Sequence, residues 1–127
     1  MNEHDAPEVL DLDDKLASFD ALWTPHRIAR FDGHQLLLAK VEGEFVWHDH
    51  ADHDEVFIPL TGVLTMDLEG GPSRRIGPGQ VLVVPAGVRH RPRADEGPVS
   101  MLVIDPMGVK HTGDEVCERT VEDYPEI

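Results

Sequence analysis

At 127 residues and 40% apolar side chains, the chain suits one domain, residues 1–127, with a buried core. Asp and Glu number 25 against 11 Lys and Arg, a formal charge of -14, and such a surface repels nucleic acid and anionic lipid and argues against both as partners. No apolar run reaches membrane length, no signal-peptide pattern opens the chain, and the single Cys117 cannot form an intrachain disulfide, so a reducing, cytoplasmic setting is expected.

Eleven Gly and ten Pro among short apolar runs favour an all-β domain over a helical bundle. Residues 1–7 are polar and expected to be loose. Val9, Leu10, Leu12, Leu16 and Phe19 recur at helical spacing, predicting a short N-terminal helical turn capped by Asp11 or Asp13. Residues 26–31 read as an edge strand, and Asp32-Gly33 as a hairpin turn into a strand over residues 34–42. Gly43 interrupts that strand as a bulge or bend. Residues 44–50 then continue in alternation, with Val46, His48 and His50 on one face and Phe45 and Trp47 on the other.

Residues 55–60 form the next expected strand, with Glu55 and Phe57 on a shared face. Thr61-Gly62 turns the chain into residues 63–68, where Leu64, Met66 and Leu68 share a face. A short strand is predicted over residues 74–76. Residues 80–84 are almost wholly apolar and read as a strand buried on both sides or ending at Pro85. Residues 88–93 carry His90, residues 95–98 are an expected loop, and residues 99–104 are the last strand. The tail from Asp105 is expected to be polar and irregular. Short strands punctuated by Gly and Pro point to a β-sandwich or barrel.

Two imidazoles two residues apart on a strand can converge on one point, and Glu55 follows five residues after His50. Neutral imidazole and carboxylate are transition-metal ligands, so His48, His50 and Glu55 are candidates for a metal site. The simpler alternative is a set of polar residues at a barrel mouth. His53 reads as a solvated loop residue, with a replacement ligand or proton shuttle as the sharper alternative. His26, His34 and His111 are read as solvent-facing. Arg89, Arg91 and Arg93 alternate with His90 and should lie on the outer face as a solvated basic edge, the alternative being a gate for an anionic substrate. Same-face neighbours of the ligands predict a pocket lined by Val46, Phe57, Leu64, Met66, Leu82 and Met101 or Leu102. Outward Phe45 and Trp47 would need cover, from Leu12, Leu16 and Phe19 or from a second subunit.

These residues fall into an order that resembles the cupin superfamily of small jelly-roll barrels. Its first motif is matched by Gly43, His48, His50, Glu55 and Gly62, and its second by Gly79, Pro85, Gly87 and His90. The motifs span residues 43–94. Two positions depart from the pattern. Four residues separate Gly43 from His48, where the family usually has five, and Ala94 stands where Asn is usual. The Trp-His-x-His start, Asp54-Glu55, the run Val-Pro-x-Gly-Val-x-His-x-Pro and Thr112-Gly113-Asp114 are similar to single-domain cupins labelled mannose-6-phosphate-isomerase-like or RmlC-like.

The resemblance implies a double-stranded β-helix, the cupin jelly-roll barrel, with its core at about residues 23–106. It implies one divalent transition metal (Fe, Mn, Ni, Cu or Zn) held by His48, His50, Glu55 and His90, with one or two positions left open. It further implies a homodimer and a small-molecule substrate or ligand. The expected function is a metal-dependent enzyme of oxygenase, isomerase or lyase type. A non-catalytic binding or sensing barrel, and a barrel in which metal is only a structural staple, are the alternatives. No catalytic side chain is nominated by the sequence.

Overall fold

The computed structural model describes residues 7–113 and 123–127. Cys117 and Asp114 lie outside the described residues, as do residues 1–6. The helical turn forms as α1 (Leu12–Ala17), and Asp11 is its cap. Asp11 keeps an extended backbone while its carboxylate accepts from the Asp14 N–H at 3.1 Å, which satisfies one of the free donors of the first turn. Leu12 and Leu16 pack with Phe19 on Ile28 and Leu38. Lys40 reaches back to the Leu16 and Phe19 carbonyls, placing a cation where the helix ends in unpaired carbonyls.

Seven antiparallel strands follow: β1 (His26–Phe31), β2 (His34–Glu44), β3 (Glu55–Thr61), β4 (Leu64–Leu68), β5 (Arg74–Ile76), β6 (Leu82–Val84) and β7 (His90–Pro106). They pair in the order β1-β2-β7-β3-β6, with β4 joining β7 to β5. β1 lies at an edge, as expected, and the β1–β2 hairpin turns at Asp32 (φ 46°) and Gly33 (φ 74°), the two positive φ values that a tight twisted hairpin requires. Along β2 the period of two is clear. Gln35, Leu37, Ala39 and Val41 are buried toward the barrel interior, while Leu38 packs with α1 on the other face. This is the jelly-roll barrel that the resemblance implies.

Three sequence expectations change and one resolves between its alternatives. The expected loop at residues 95–98 lies inside β7, because Val41 and Gly43 of β2 pair with Val99 and Ala94. One residue of β2, Glu42, thus faces four of β7, residues 95–98, and the extra length is absorbed as a bulge in a continuous strand. The apolar run at residues 80–84 takes the second of its two readings and ends at Pro85 rather than being buried on both sides: only Leu82–Val84 is strand, it pairs with β3 alone, and Val81 and Val83 are 59% and 50% exposed. An apolar run fits an edge strand as well as a central one. Regular strand structure ends at Glu44, after the Gly43 bulge, so residues 45–50 do not follow one alternation. Finally, the tail is not simply irregular. Residues 124–127 return to β1, where the Arg27 N–H donates to Pro125 O and the Ile127 N–H to Arg27 O, and Tyr124 is buried in the core.

The outward face of β7 is tied to β4 by one carboxylate. Asp67 accepts from Arg91 (2.8 Å), Arg93 (2.9 Å) and Ser73 (2.6 Å). Burial disfavours its anion, but hydrogen bonds from Arg93, Ser73 and Arg91 outweigh that and bring its pKa down to about 2. Arg89 pairs with Glu69 at 3.8 Å, so the arginines are engaged on the outer face, as expected. Among the described residues no helix is long and apolar enough to cross a membrane.

Gly62, at the β3–β4 turn, has φ +81°, and an added Cβ would stand 2.4 Å from the Pro98 carbonyl oxygen. Gly62→Ala should lower the urea unfolding midpoint by the equivalent of about 3 kcal/mol. Gly33→Ala, at φ +74° in open space, should cost only about 1 kcal/mol.

Candidate metal centre

The centre is assembled by two backbone links between distant segments. His48 and His90 exchange N–H···O bonds of 2.9 and 2.8 Å, an isolated antiparallel bridge that sets their rings 4.3 Å apart. The Gly87 N–H donates to His50 O at 2.9 Å, and the Ala86 N–H to Asp54 Oδ1 at 2.9 Å. The Pro85–Gly87 turn is thereby stitched to the His48–Glu55 segment. Glu55 opens β3 opposite Val84. His48, His50, Glu55 and His90 come together with ligand atoms all within 4.8 Å of one another, and all four are buried.

The side chains are prepared for a cation. Nδ1 of His48 lies 3.0 Å from Val46 O, and Nδ1 of His90 lies 2.8 Å from Val88 O. A carbonyl only accepts, so each Nδ1 carries the proton and each Nε2 keeps its lone pair for the centre. His50 Nε2 and His90 Nε2 stand 3.4 and 3.5 Å from Glu55 Oε1. These three atoms are buried without a hydrogen-bond partner among the described residues, an arrangement costly unless something else satisfies them. Ligands about 2.1 Å from one metal, at 90–110° to each other, lie about 3.0–3.4 Å apart, so the residues present fit a transition metal. Burial and the neighbouring His90 push the His48 pKa down to about 4, leaving a neutral imidazole at pH 7.

Glu55 is supported from behind by a buried polar ladder that crosses four strands. Arg27 Nε donates to Gln35 Oε1 at 2.9 Å, Gln35 Nε2 donates to Asp105 Oδ1 at 2.8 Å, and the Asp105 and Glu55 carboxyls lie close enough to shift one another's pKa. Because Arg27 occupies the Gln35 oxygen, the Gln35 amide must turn its N–H toward Asp105. Burial and the Glu55 charge raise the Asp105 pKa to about 8. Burial opposes the Glu55 anion too, but the adjacent His50 and His90 imidazoles and the Asp105 carboxyl prevail and hold it well below the usual carboxylate range. At pH 7 Asp105 is thus the protonated partner that donates and Glu55 the anion that accepts.

The centre borders a small cavity. The walls are largely apolar, with Trp23, Leu37, Phe45, Phe57, Met101 and Val103 among them, and His48, Glu55, Asp105 and His111 add the polar groups. Of the expected lining only Phe57 and Met101 hold. Leu64 and Met66 are buried in the core beyond the cavity, Val46 and Leu82 pack at the margin of that core, and Leu102 packs with the outer cluster around Leu38. Phe45 is inside, stacked on Trp23 at 4.5 Å, since the strand alternation stops at Glu44. Trp47 keeps the outward place and is covered by Arg91, 5.3 Å from its ring. Cover for an outward Phe45 by α1 or a second subunit is therefore not needed.

Of the remaining histidines, His34 is exposed, but His26 is buried against Phe19 and His111 lines the cavity beside Phe45. Both had been expected in solvent. His53 is half-buried, its ring 4.7 Å from His50, and stays outside the group of four. Ala94, in the usual place of an Asn, is buried opposite Gly43, and the four ligands meet without it. Gln35 and Asp105 were missed, although a signal existed: each is in phase with inward apolar residues, Leu37 and Ala39 for one, Met101 and Val103 for the other. His111 and Tyr124 had no such signal, lying where no periodicity indicates a direction.

A family model described as a cupin domain matches residues 35–105. A cupin-2 domain containing protein of Shewanella frigidimarina NCIMB 400 is 40% identical in its crystal structure, with a TM-score of 0.74 over 77% of this chain and 94% of that one. The uncharacterized protein YdbB of Bacillus subtilis (strain 168) is 34% identical over 76 residues, 60% of this chain and 67% of its own length. The DMSP lyase DddQ of Ruegeria pomeroyi DSS-3 is 28% identical, with a TM-score of 0.54 over 75% of this chain and 45% of that one.

Two outcomes follow from this geometry. Asp105→Asn keeps an acceptor for Gln35 and a donor for Glu55, so metal affinity in equilibrium dialysis should stay near wild type, whereas Asp105→Ala should lose about 10–100-fold. In metal-free protein, His48 titrates near 6.5 when unfolded and near 4 when folded. Its contribution to stability is complete above pH 6.5 and is lost as the pH falls to 4, about 3 kcal/mol in urea titrations. His48→Gln should remove that share of the slope.

Proposed function

The chain belongs to the cupin domain family, and from that premise we propose that it is a metal-dependent enzyme acting on a small molecule in the barrel cavity. His48, His50, Glu55 and His90 would hold the metal. The observation that carries this reading is the convergence of three buried, unpartnered acceptor atoms beside a cavity. Where metal serves only as a structural staple, a pocket beside it has no purpose.

When bound, the metal supplies a Lewis acid with open positions, able to activate water, polarise an oxygen or bind dioxygen. The protein's own contribution is positional. The Val46 and Val88 carbonyls fix the His48 and His90 tautomers, Asp105 holds one edge of Glu55, and the apolar walls exclude water. Three imidazoles and one carboxylate suit iron, manganese, nickel, copper and zinc alike. Among oxygenase, isomerase and lyase chemistry, the likeness to a DMSP lyase supports the last.

Elemental analysis of protein purified without added metal or metal-affinity resin should find about one transition-metal ion per chain. His50→Ala should lose that metal and any metal-dependent turnover while retaining its circular dichroism spectrum. Occupancy below about a tenth, with no uptake on addition of metal, would sink the proposal.

A further inference from the structure

We infer that the cavity takes an apolar molecule carrying a single oxygen head, uncharged or singly anionic, with that head at the metal centre. Sugars and phosphate esters are excluded. The inference deepens the metal-enzyme reading and rests on it. It starts from the placement of polar atoms around the cavity. Trp23 and Phe45 present two stacked rings, 8° from parallel, and Leu37, Ala39, Val41, Phe57, Met101 and Val103 extend the apolar lining. The Trp23 indole N–H already donates to Glu42 O at 3.0 Å, so that side chain offers the cavity a ring face. Trp23 is held there at φ +58°, a conformation an aromatic residue rarely adopts, by its own N–H to Lys40 O at 2.8 Å.

The polar side chains of the lining, His48, Glu55, Asp105 and His111, comprise two histidines and two acids. Among the described residues no Lys or Arg lines the cavity. Within this cavity a metal would therefore be the principal positive centre, Lys110 lying in a separate polar cleft on the His50 side, and Glu55 already offsets part of its charge. One anionic oxygen can be met there. A second anionic group, such as the phosphate at the far end of a sugar phosphate, would be desolvated without a counter-charge. The hydroxyls of a sugar would lie against Leu, Val, Phe and Met side chains, and each left unpaired should cost about tenfold or more in affinity.

The test uses the full chain loaded with cobalt(II), whose visible absorption reports on the metal's ligands. The Trp47→Phe variant leaves Trp23 as the only tryptophan and an emission probe of the cavity. Benzyl alcohol and phenylacetate are compared with mannose 6-phosphate and glucose up to about 10 mM. At least one aromatic probe should shift both signals, with a midpoint at least about tenfold below that of either sugar. The wild-type cobalt spectrum should give the same ordering should Trp47→Phe disturb the fold. Sugar or sugar-phosphate binding as tight as the aromatic probes, or no response to either aromatic probe, overturns the inference. Failure to take up cobalt is visible before any probe is added and counts against the metal reading itself. Trp23 emission must then show the same ordering in metal-free protein, or the cavity inference falls as well.

Discussion

The reciprocal backbone pair between His48 and His90 is the constraint on which the rest of this site depends. It joins two segments more than forty residues apart without extending a strand, and it fixes both rings by the same device, an Nδ1–H to the carbonyl two residues back. Once those rings are set, His50 and Glu55 have little choice of position, because the Gly87 N–H holds the His50 carbonyl and the Val84 pairing holds the start of β3. The result is a cluster of lone pairs buried against one another. Such a cluster works against folding in isolation, and a cation turns the same cluster into a source of stability.

The barrel accommodates this by dividing its interior. Apolar side chains of β2, β3 and β7 fill most of it, and a line of polar groups runs from Arg27 through Gln35 and Asp105 to Glu55. Each member of that line satisfies the next, so the low-dielectric interior strengthens it. Its outer end is also where the C-terminal residues attach, through Glu126 to Arg27 and Arg30. The segment that places Tyr124 in the core and the groups that orient Glu55 therefore share one anchor, Arg27.

The outer face of the barrel follows a different rule. Asp67 collects Arg91, Arg93 and Ser73, and Arg91 also covers Trp47, so basic residues that alternate with a candidate ligand serve as a clasp between β4 and β7. The inside of the barrel lacks such cations among the residues that line the cavity. The arginines of β7 thus lie outside, while the polar side chains lining the cavity are acids and imidazoles.

The sequence by itself determined most of the strand succession, the hairpin at Asp32-Gly33, a cap at Asp11 or Asp13, and the candidacy of His48, His50 and Glu55, to which the resemblance to cupins added His90. Those features are written in local chemistry: turn residues with positive φ, a capping carboxylate, and two histidines at same-face spacing with a carboxylate nearby. What only the tertiary structure decided is direction where periodicity fails. Phe45 turns inward because the Gly43 bulge ends the alternation, Val81 and Val83 face solvent because β6 is an edge, and His111 and Tyr124 enter the barrel from segments with no repeating pattern. Asp105 lies between these cases. Its inward phase was readable along β7, but its role as the partner of Glu55 required two strands to meet, and a pairing between strands is a property of the folded sheet rather than of either stretch of chain.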